Sequence, residues 1–170
     1  MTDQTSNDIR LAFLDISIFD DASIRGGVLV TDIETRPYEF RVTSPVKPTP
    51  LQRVLYGPTL VDYVYGELIC LPLIRAVKEK LSLVITRLDN LLIIRPSISI
   101  PTIFINRNPK NIHDNQSADG IRTITIKPHR NFPGEEAWAE TLLTNLKQRH
   151  DLLEPFERLK IAISEVHKKI

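Results

Sequence analysis

The chain has 170 residues, of which 42% are hydrophobic and 25% are charged, and its formal net charge is +1. This length predicts one compact domain, and the balanced charge excludes a protein that coats nucleic acid through a strongly basic surface. The single cysteine, Cys70, excludes a disulfide framework within the chain and, in its apolar surroundings, is expected to be a small buried residue. The polar N-terminus and the lack of a long apolar run predict a soluble, cytoplasmic protein rather than a membrane protein.

Three β-strands are predicted near the N-terminus. Residues 1–9 are polar and are expected to form a flexible leader to a single domain over residues 10–170. The strands follow at LAFLDIS, GGVLVTD and YEFRVTS; the second is entered through a pair of glycines, and the third alternates apolar and polar residues. Thr49 and Pro50 then predict the start of a helix, as an N-cap followed by a proline in the first turn.

The middle of the chain predicts a helical segment followed by two buried strands. The helical segment covers residues 51–80 and is interrupted at Gly57 and Pro58. At 100° per residue, its inward positions are predicted to be Leu60, Val64, Leu68 and Leu71. The apolar runs LSLVIT and IPTIFIN predict strands that are covered on both faces, whereas LDNLLIIRPSIS between them is compatible with a short helix or a hairpin.

The last third of the chain predicts a polar loop over residues 107–120, a strand at IRTITIK and two helices. In the first helix, EEAWAETLLTNLKQ, Trp138 is expected to be a core residue at helical spacing from Leu142. In the second helix, LLEPFERLKIAISEVHKK, the predicted apolar stripe consists of Ile161, Ala162, Val166 and Ile170.

The order of these elements predicts the fold class. The first three strands can pair as an antiparallel meander, and the fourth strand returns through a helix, so that it lies parallel to its neighbour by a right-handed crossover. The predicted fold is therefore α/β: a ribonuclease H-like mixed sheet, with three antiparallel strands followed by parallel strands, flanked by helices.

Three carboxylates are expected to meet at one end of this sheet. Asp15 lies late in the first strand and Asp89 just after the fourth, near the carboxyl ends of adjacent strands, where open α/β sheets place their sites. Glu67, on the flank of the intervening helix, is expected to reach back over the sheet. Such carboxylates bind hard divalent cations, which activate water for phosphodiester cleavage. The predicted catalytic and metal-binding set is Asp15, Glu67 and Asp89, with Mg²⁺ or Mn²⁺ as the cofactor, although each acid alone can also be a turn, capping or solvated residue.

Several motifs resemble those of endonuclease V, a family of ribonuclease H-like nucleases, over nearly the whole chain. LAFLDIS resembles that family's first strand with its metal-binding Asp, YGELICLPLIRAV the segment with an acid before Leu-Pro, and LVITRLD the strand that leads to the second catalytic Asp. LLEPFERLKIA is similar to its Pro-x-x-Arg helix, with Arg158 at the arginine. The resemblance implies Mg²⁺-dependent hydrolysis of a phosphodiester near a deaminated purine in DNA or RNA, with Asp15, Glu67 and Asp89 binding the metal.

Two positions depart from the family pattern. Asn90-Leu91-Leu92 and Arg95-Pro96 stand where the family has a glycine-rich turn and a His-Pro-Arg motif, and glycines there let the backbone approach an extruded base. Ile161 stands where the family has a further ligand, and its side chain cannot bind a metal. Recognition of inosine is therefore left open.

A weaker set of residues is predicted to contact nucleic acid. A tyrosine can stack on an unpaired base, and basic side chains can contact phosphates. The set consists of Tyr56, Lys127, His129, Arg130 and Arg158.

Two functions from different classes remain open from the sequence. The first is a divalent-metal nuclease of the endonuclease V type, acting on DNA or RNA. The second is a catalytically lapsed relative that serves as an interaction module, with nucleic acid, a protein partner or a second copy of the chain as its partner. Nucleotide chemistry on a small substrate is a third and weaker alternative.

Overall fold

A computed structural model describes residues 6–107 and 124–169, and within these ranges six strands form one mixed sheet. The strands are β1 (Leu11–Ile18), β2 (Ile24–Thr31), β3 (Pro37–Val42), β4 (Leu83–Thr86), β5 (Thr102–Arg107) and β6 (Ile124–Pro128). The α-helices are α1 (Pro50–Tyr56), α2 (Leu60–Asp62), α3 (Leu71–Ala76), α4 (Glu135–Arg149) and α5 (Glu154–Lys168). A π-helix covers Tyr63–Cys70, and 3₁₀ segments cover Ser6–Asp8, Gly57–Thr59 and Asp89–Ser97.

The topology confirms the predicted fold class. The strand order is β3-β2-β1-β4-β5-β6. β1, β2 and β3 pair antiparallel, β4 lies parallel to both β1 and β5, and β6 closes the far edge antiparallel to β5. A three-stranded meander followed by a helical crossover to a parallel strand is the ribonuclease H-like arrangement. The crossover returns the chain to the end of the sheet where β1 begins, so that β4 runs parallel to β1.

Each face of the sheet carries its own buried cluster. The side chains of Leu11 and Phe13 on β1 pack with α4 and α5, on what we call the α5 face. The alternate residues, Ala12 and Leu14, pack with the π-helix and α3 on the opposite side, the π-helix face. Since successive strand residues point to opposite faces, the position of any β1 side chain follows from its place in this alternation.

The glycine pair on β2 allows both layers to approach the sheet closely. A Cβ at Gly26 would lie 2.1 Å from Cγ2 of Ile69 on the π-helix, and one at Gly27 would lie 2.6 Å from Cδ1 of Ile163 on α5. The two glycines thus lie inside the strand rather than in the turn or bulge that the sequence suggests. Without side chains there, the helices on the two faces pack directly against the β2 backbone.

The helical crossover begins where the sequence predicts and then departs from the α-helical period. The Thr49 hydroxyl accepts a hydrogen bond from the Gln52 backbone N–H at 3.2 Å, and the Gln52 side chain accepts one from the Thr49 N–H at 2.9 Å. The chain breaks at Gly57 (φ 52°) and later winds into the π-helix. A π-helix turns less per residue than an α-helix, so Ile69 is buried there, whereas Leu68, a predicted inward residue, is exposed.

The two C-terminal helices form as predicted but with different buried faces. α5 buries Phe156, Leu159 and Ile163, which repeat at helical spacing, whereas the predicted stripe residue Ile161 is exposed. α4 buries Ala139, Leu143 and Leu146, and its neighbour Trp138 is exposed rather than buried. In both helices the prediction placed the core face about one residue away from the true one, because two adjacent apolar stripes fit the same period.

The ends of the predicted segments differ in small ways. Of the predicted leader over residues 1–9, residues 1–5 lie outside the described residues, and Ile9 packs into the core on the α5 face. Of the predicted polar loop over residues 107–120, Arg107 ends β5 and the rest lies outside the described residues. Cys70 is buried as predicted, and burial raises the pKa of its thiol. Across residues 6–107 and 124–169, no helix is both long and apolar enough to cross a bilayer.

Candidate functional site

Asp15 lies on the α5 face near the carboxyl end of β1. Its cross-strand partner is Gly27, which faces Leu159 and Ile163 of α5. The Asp15 side chain is 3% exposed. A carboxylate this deeply buried requires a partner for its charge.

The partner of Asp15 is Arg87, which also binds Glu157 on α5. Nε and Nη2 of Arg87 lie 2.9 Å and 2.8 Å from Oδ2 of Asp15, and its Nη1 lies 2.9 Å from Oε1 of Glu157. The remaining Asp15 oxygen, Oδ1, accepts a hydrogen bond from the Ile16 N–H at 3.0 Å. We call this arrangement the Asp15–Arg87–Glu157 bridge.

The bridge follows from strand register and helix packing. Leu11 pairs with Leu83 and Phe13 with Ile85 along the parallel β1–β4 pair, so the next residues on the same face are Asp15 and Arg87. The ring of Phe156 packs edge-on against Phe13, with centroids 5.3 Å apart, and this contact brings the start of α5 over the end of β1. The guanidinium of Arg87 lies 5.4 Å from the Phe156 ring centroid, and Glu157 follows directly on the same helix.

Charge and burial have opposite effects on the pKa values of Asp15 and Arg87. Burial raises the pKa of Asp15, and the attraction of the Arg87 guanidinium opposes that rise without cancelling it. Burial alone would lower the pKa of Arg87, but its two carboxylate partners outweigh that effect and raise it. Arg87 therefore stays cationic, and its positive charge lies between the two acids.

Glu67 lies on the π-helix. Its side chain is exposed and lines a groove together with Tyr56, Asp62, Tyr63 and Ile93. The rings of Tyr56 and Tyr63 stack there, with centroids 4.4 Å apart, and the hydrogen bond to Tyr63 raises the pKa of Tyr56. Glu67 thus borders a tyrosine-lined groove.

Asp89 is exposed at the first residue of the 3₁₀ segment after β4. Within the part of the chain that the structure describes, no group of three His, Cys, Asp or Glu side chains is placed to hold a metal ion. Asp15, Glu67 and Asp89 therefore do not form such a group, and they lie on three different elements: β1, the π-helix and the 3₁₀ segment. Their catalytic roles stay predictions.

The residues around Asp15 do not fit Mg²⁺ as they stand. Hard cations require oxygen ligands that are free to coordinate, usually one or two carboxylates with waters. One oxygen of Asp15 receives two N–H groups from Arg87 and the other receives a backbone N–H, and the guanidinium would repel a second positive ion.

The residues predicted to contact nucleic acid lie on separate parts of the molecule. Arg158 donates to the carbonyl oxygen of Thr35 at the β2–β3 turn (2.9 Å) and pairs with Glu154 on its own helix. The other basic residues of the set lie on or just after β6, at the opposite edge of the sheet: Lys127, His129 and Arg130. Tyr56 lies at the groove beside Glu67.

Two residues of the bridge, Arg87 and Glu157, were missed from the sequence. The alternation of Leu83, Ile85 and Arg87 is a signal for the first, since it places Arg87 on the face of β4 that meets α5. No comparable signal marks Glu157, because its position depends on how α5 crosses the sheet.

Comparison with known proteins does not assign this chain to a family. No family model matches the chain. No curated protein matches it either. Among solved structures, one similar chain is a variant of endonuclease V from Ciona intestinalis in complex with a 23mer DNA containing an inosine followed by a ribo-adenosine. The identity is 13% and the TM-score 0.40, over 58% of this chain and 46% of that one, so this chain matches less than half of that protein. The fold assignment rests on strand order and direction instead.

Proposed function

We propose that this chain is a ribonuclease H-like interaction module, which docks onto a second copy of itself through α1 and does not hydrolyse phosphodiester bonds at the carboxyl end of β1. The observation that carries this proposal is the solvent-exposed apolar face of α1. The Asp15–Arg87–Glu157 bridge supports the second half of the proposal, because it occupies the carboxylate on which hydrolysis would depend.

The exposed face of α1 is formed by Leu51, Val54 and Leu55, which are 65%, 78% and 72% exposed. These residues are spaced as i, i+3 and i+4, the pattern by which a helix usually buries one side against a core. Here α1 has no buried residue, and its contacts are chiefly with the 3₁₀ turn and α2 that follow it. An amphipathic helix that turns its apolar face to water is typical of a docking element.

The charges around α1 favour a second copy of this chain over a nucleic acid. Asp62 and Glu67 line the adjoining groove, where they would repel phosphates. Arg53 on α1 and Asp62 are both exposed, and neither forms an ion pair within residues 6–107 and 124–169. In a dimer of two such copies, Arg53 of one copy and Asp62 of the other have opposite charges that can pair, and two-fold dimers are the commonest closed assemblies of soluble proteins.

Sedimentation velocity on the wild type and on Val54→Glu tests the docking. We expect the wild type to associate as its concentration is raised about a hundredfold, and Val54→Glu to stay monomeric because a carboxylate in the centre of the apolar face cannot be buried unpaired. Ile161→Glu is the matched control, since Ile161 is also exposed but lies on α5. A wild type that stays monomeric over that range, or association that Val54→Glu leaves unchanged, would contradict the proposal.

A metal-dependent nuclease is the second candidate, and one observation favours it: Asp15 and Glu157 approach each other on one face at the carboxyl end of β1, where such sheets place their sites. Its substrate would be DNA or RNA, as the motif resemblance implies. An assay with Mg²⁺ or Mn²⁺ on single-stranded, duplex and inosine-containing oligonucleotides separates the two functions. Cleavage that Asp15→Asn abolishes would establish the nuclease.

A further inference from the structure

The guanidinium of Arg87 is fully engaged by carboxylates from two distant parts of the chain. Its partners lie 72 residues away on β1 and 70 residues away on α5. All three of its nitrogens take part: Nε and Nη2 bind Asp15, and Nη1 binds Glu157. Within the described residues, the buried carboxylate of Asp15 accepts hydrogen bonds from Nε and Nη2 of Arg87 and from the Ile16 N–H.

This arrangement has the charge pattern of a cation site without the metal. A divalent cation held by a protein commonly lies between one or two carboxylates and completes its coordination with water. Here two carboxylates, one deeply buried and one at the surface, lie on either side of the positive charge of Arg87. Arg87 is 28% exposed and Glu157 is 62% exposed, so solvent reaches the Glu157 side of the bridge.

We propose that Arg87 takes the place of a divalent cation between Asp15 and Glu157, and that removing its guanidinium converts this pair of acids into a site for Mn²⁺ or Mg²⁺. The set of ligands differs from the one the sequence predicts, since neither Glu67 nor Asp89 belongs to it. The inference rests on the proposed lack of hydrolysis and deepens it, because a guanidinium between the two acids would repel a divalent cation in the wild type.

Metal binding can be measured directly by electron paramagnetic resonance of Mn²⁺ added to the purified chain. We expect Arg87→Ala to bind Mn²⁺ about tenfold more tightly than the wild type, because two carboxylates with water are then free to coordinate the ion. Arg87→Lys is the charge-preserving control and should bind no more Mn²⁺ than the wild type. Asp15→Asn in the Arg87→Ala background should abolish the gain.

The outcomes separate this inference from the proposed function. A folded Arg87→Ala variant that binds Mn²⁺ no better than the wild type overturns the inference. If Arg87→Ala does not fold, Arg87→Gln gives the same test, because its shorter, neutral side chain removes the guanidinium charge that would repel Mn²⁺. Metal-stimulated cleavage by the wild type that is lost in Asp15→Asn overturns both ideas, whereas loss of self-association alone affects only the docking through α1.

Discussion

Replacing Arg87 with methionine should destabilise the fold by leaving Asp15 buried without its charged partner. Methionine keeps much of the side-chain volume, so the change isolates the charge and its hydrogen bonds. The Asp15 side chain is 3% exposed, and among the described residues the hydrogen bond from the Ile16 N–H would be the one that remains. Breaking a buried ion pair by removing one partner costs about 3–5 kcal/mol. Because Arg87 is itself 28% exposed, water can partly replace it, and we expect a loss of about 3 kcal/mol.

The stability lost in Arg87→Met should increase as the pH rises from about 4 to neutral. Burial already raises the pKa of Asp15 above its ordinary value of 3.8, and removing Arg87 raises it further. An acid whose pKa is higher in the folded than in the unfolded state makes its full contribution to stability below the unfolded-state pKa. That contribution is lost as the pH rises through the folded-state pKa. The deficit of Arg87→Met relative to the wild type should therefore be largest near neutral pH and should shrink as the pH falls toward 4.

Urea unfolding of the wild type and Arg87→Met at several pH values measures both effects. Asp15→Asn in the Arg87→Met background is the control, and it should recover much of the lost stability at neutral pH because no buried charge remains. A deficit below about 1 kcal/mol, or one that does not change with pH, would refute the assignment of Arg87 as the partner on which buried Asp15 depends.

Three further predictions concern the rest of the fold. Thr49→Ala should raise amide exchange within α1 while changing global unfolding by less than about 1 kcal/mol, because it removes the cap of a helix with no buried residue. Gly26→Ala should cost about 1–3 kcal/mol in urea unfolding, because its methyl group would overlap Ile69. The pKa of Asp32 is lowered: burial acts to raise it, but hydrogen bonds from Arg36 and Glu34 outweigh that effect. Asp32 therefore contributes stability above pH 3.8 that is lost as the pH falls through its folded pKa, and Asp32→Asn should flatten that acid limb of the stability curve.

The sequence predicts the sheet well because its signals are local. The alternation and apolar runs of the strands, and the cap at Thr49, depend on residues a few positions apart. Within the described residues each strand overlaps its predicted segment, and residues 121–123 of the predicted last strand lie outside them. The fold class followed from the order of those elements. The buried faces of the helices were harder to predict from the sequence. Leu68 is exposed because its segment is a π-helix, and α5 buries the apolar stripe next to the one that contains Ile161.

The candidate site was predicted less well because it depends on distant contacts. Asp15 was recognised from its place in β1, but its partner is set by the register of β1 with β4, and Glu157 by the packing of Phe156 on Phe13. Of its expected companions, Asp89 was chosen because it follows a strand end, and Glu67 because it lies on the flank of the intervening helix. Neither criterion identifies the side chain that pairs with Asp15, and here that side chain is Arg87.

The parallel pairing of β1 with β4 has a consequence for how the chain acquires its structure. β1 can pair with β2 early, because a short connection joins the two strands. Its pairing with β4 requires closure of the long loop that contains the helical crossover, and contacts that close long loops form slowly. Until then the meander exposes one open strand edge along β1, which invites pairing with other chains. Completion of the crossover is therefore the step at which this edge becomes protected.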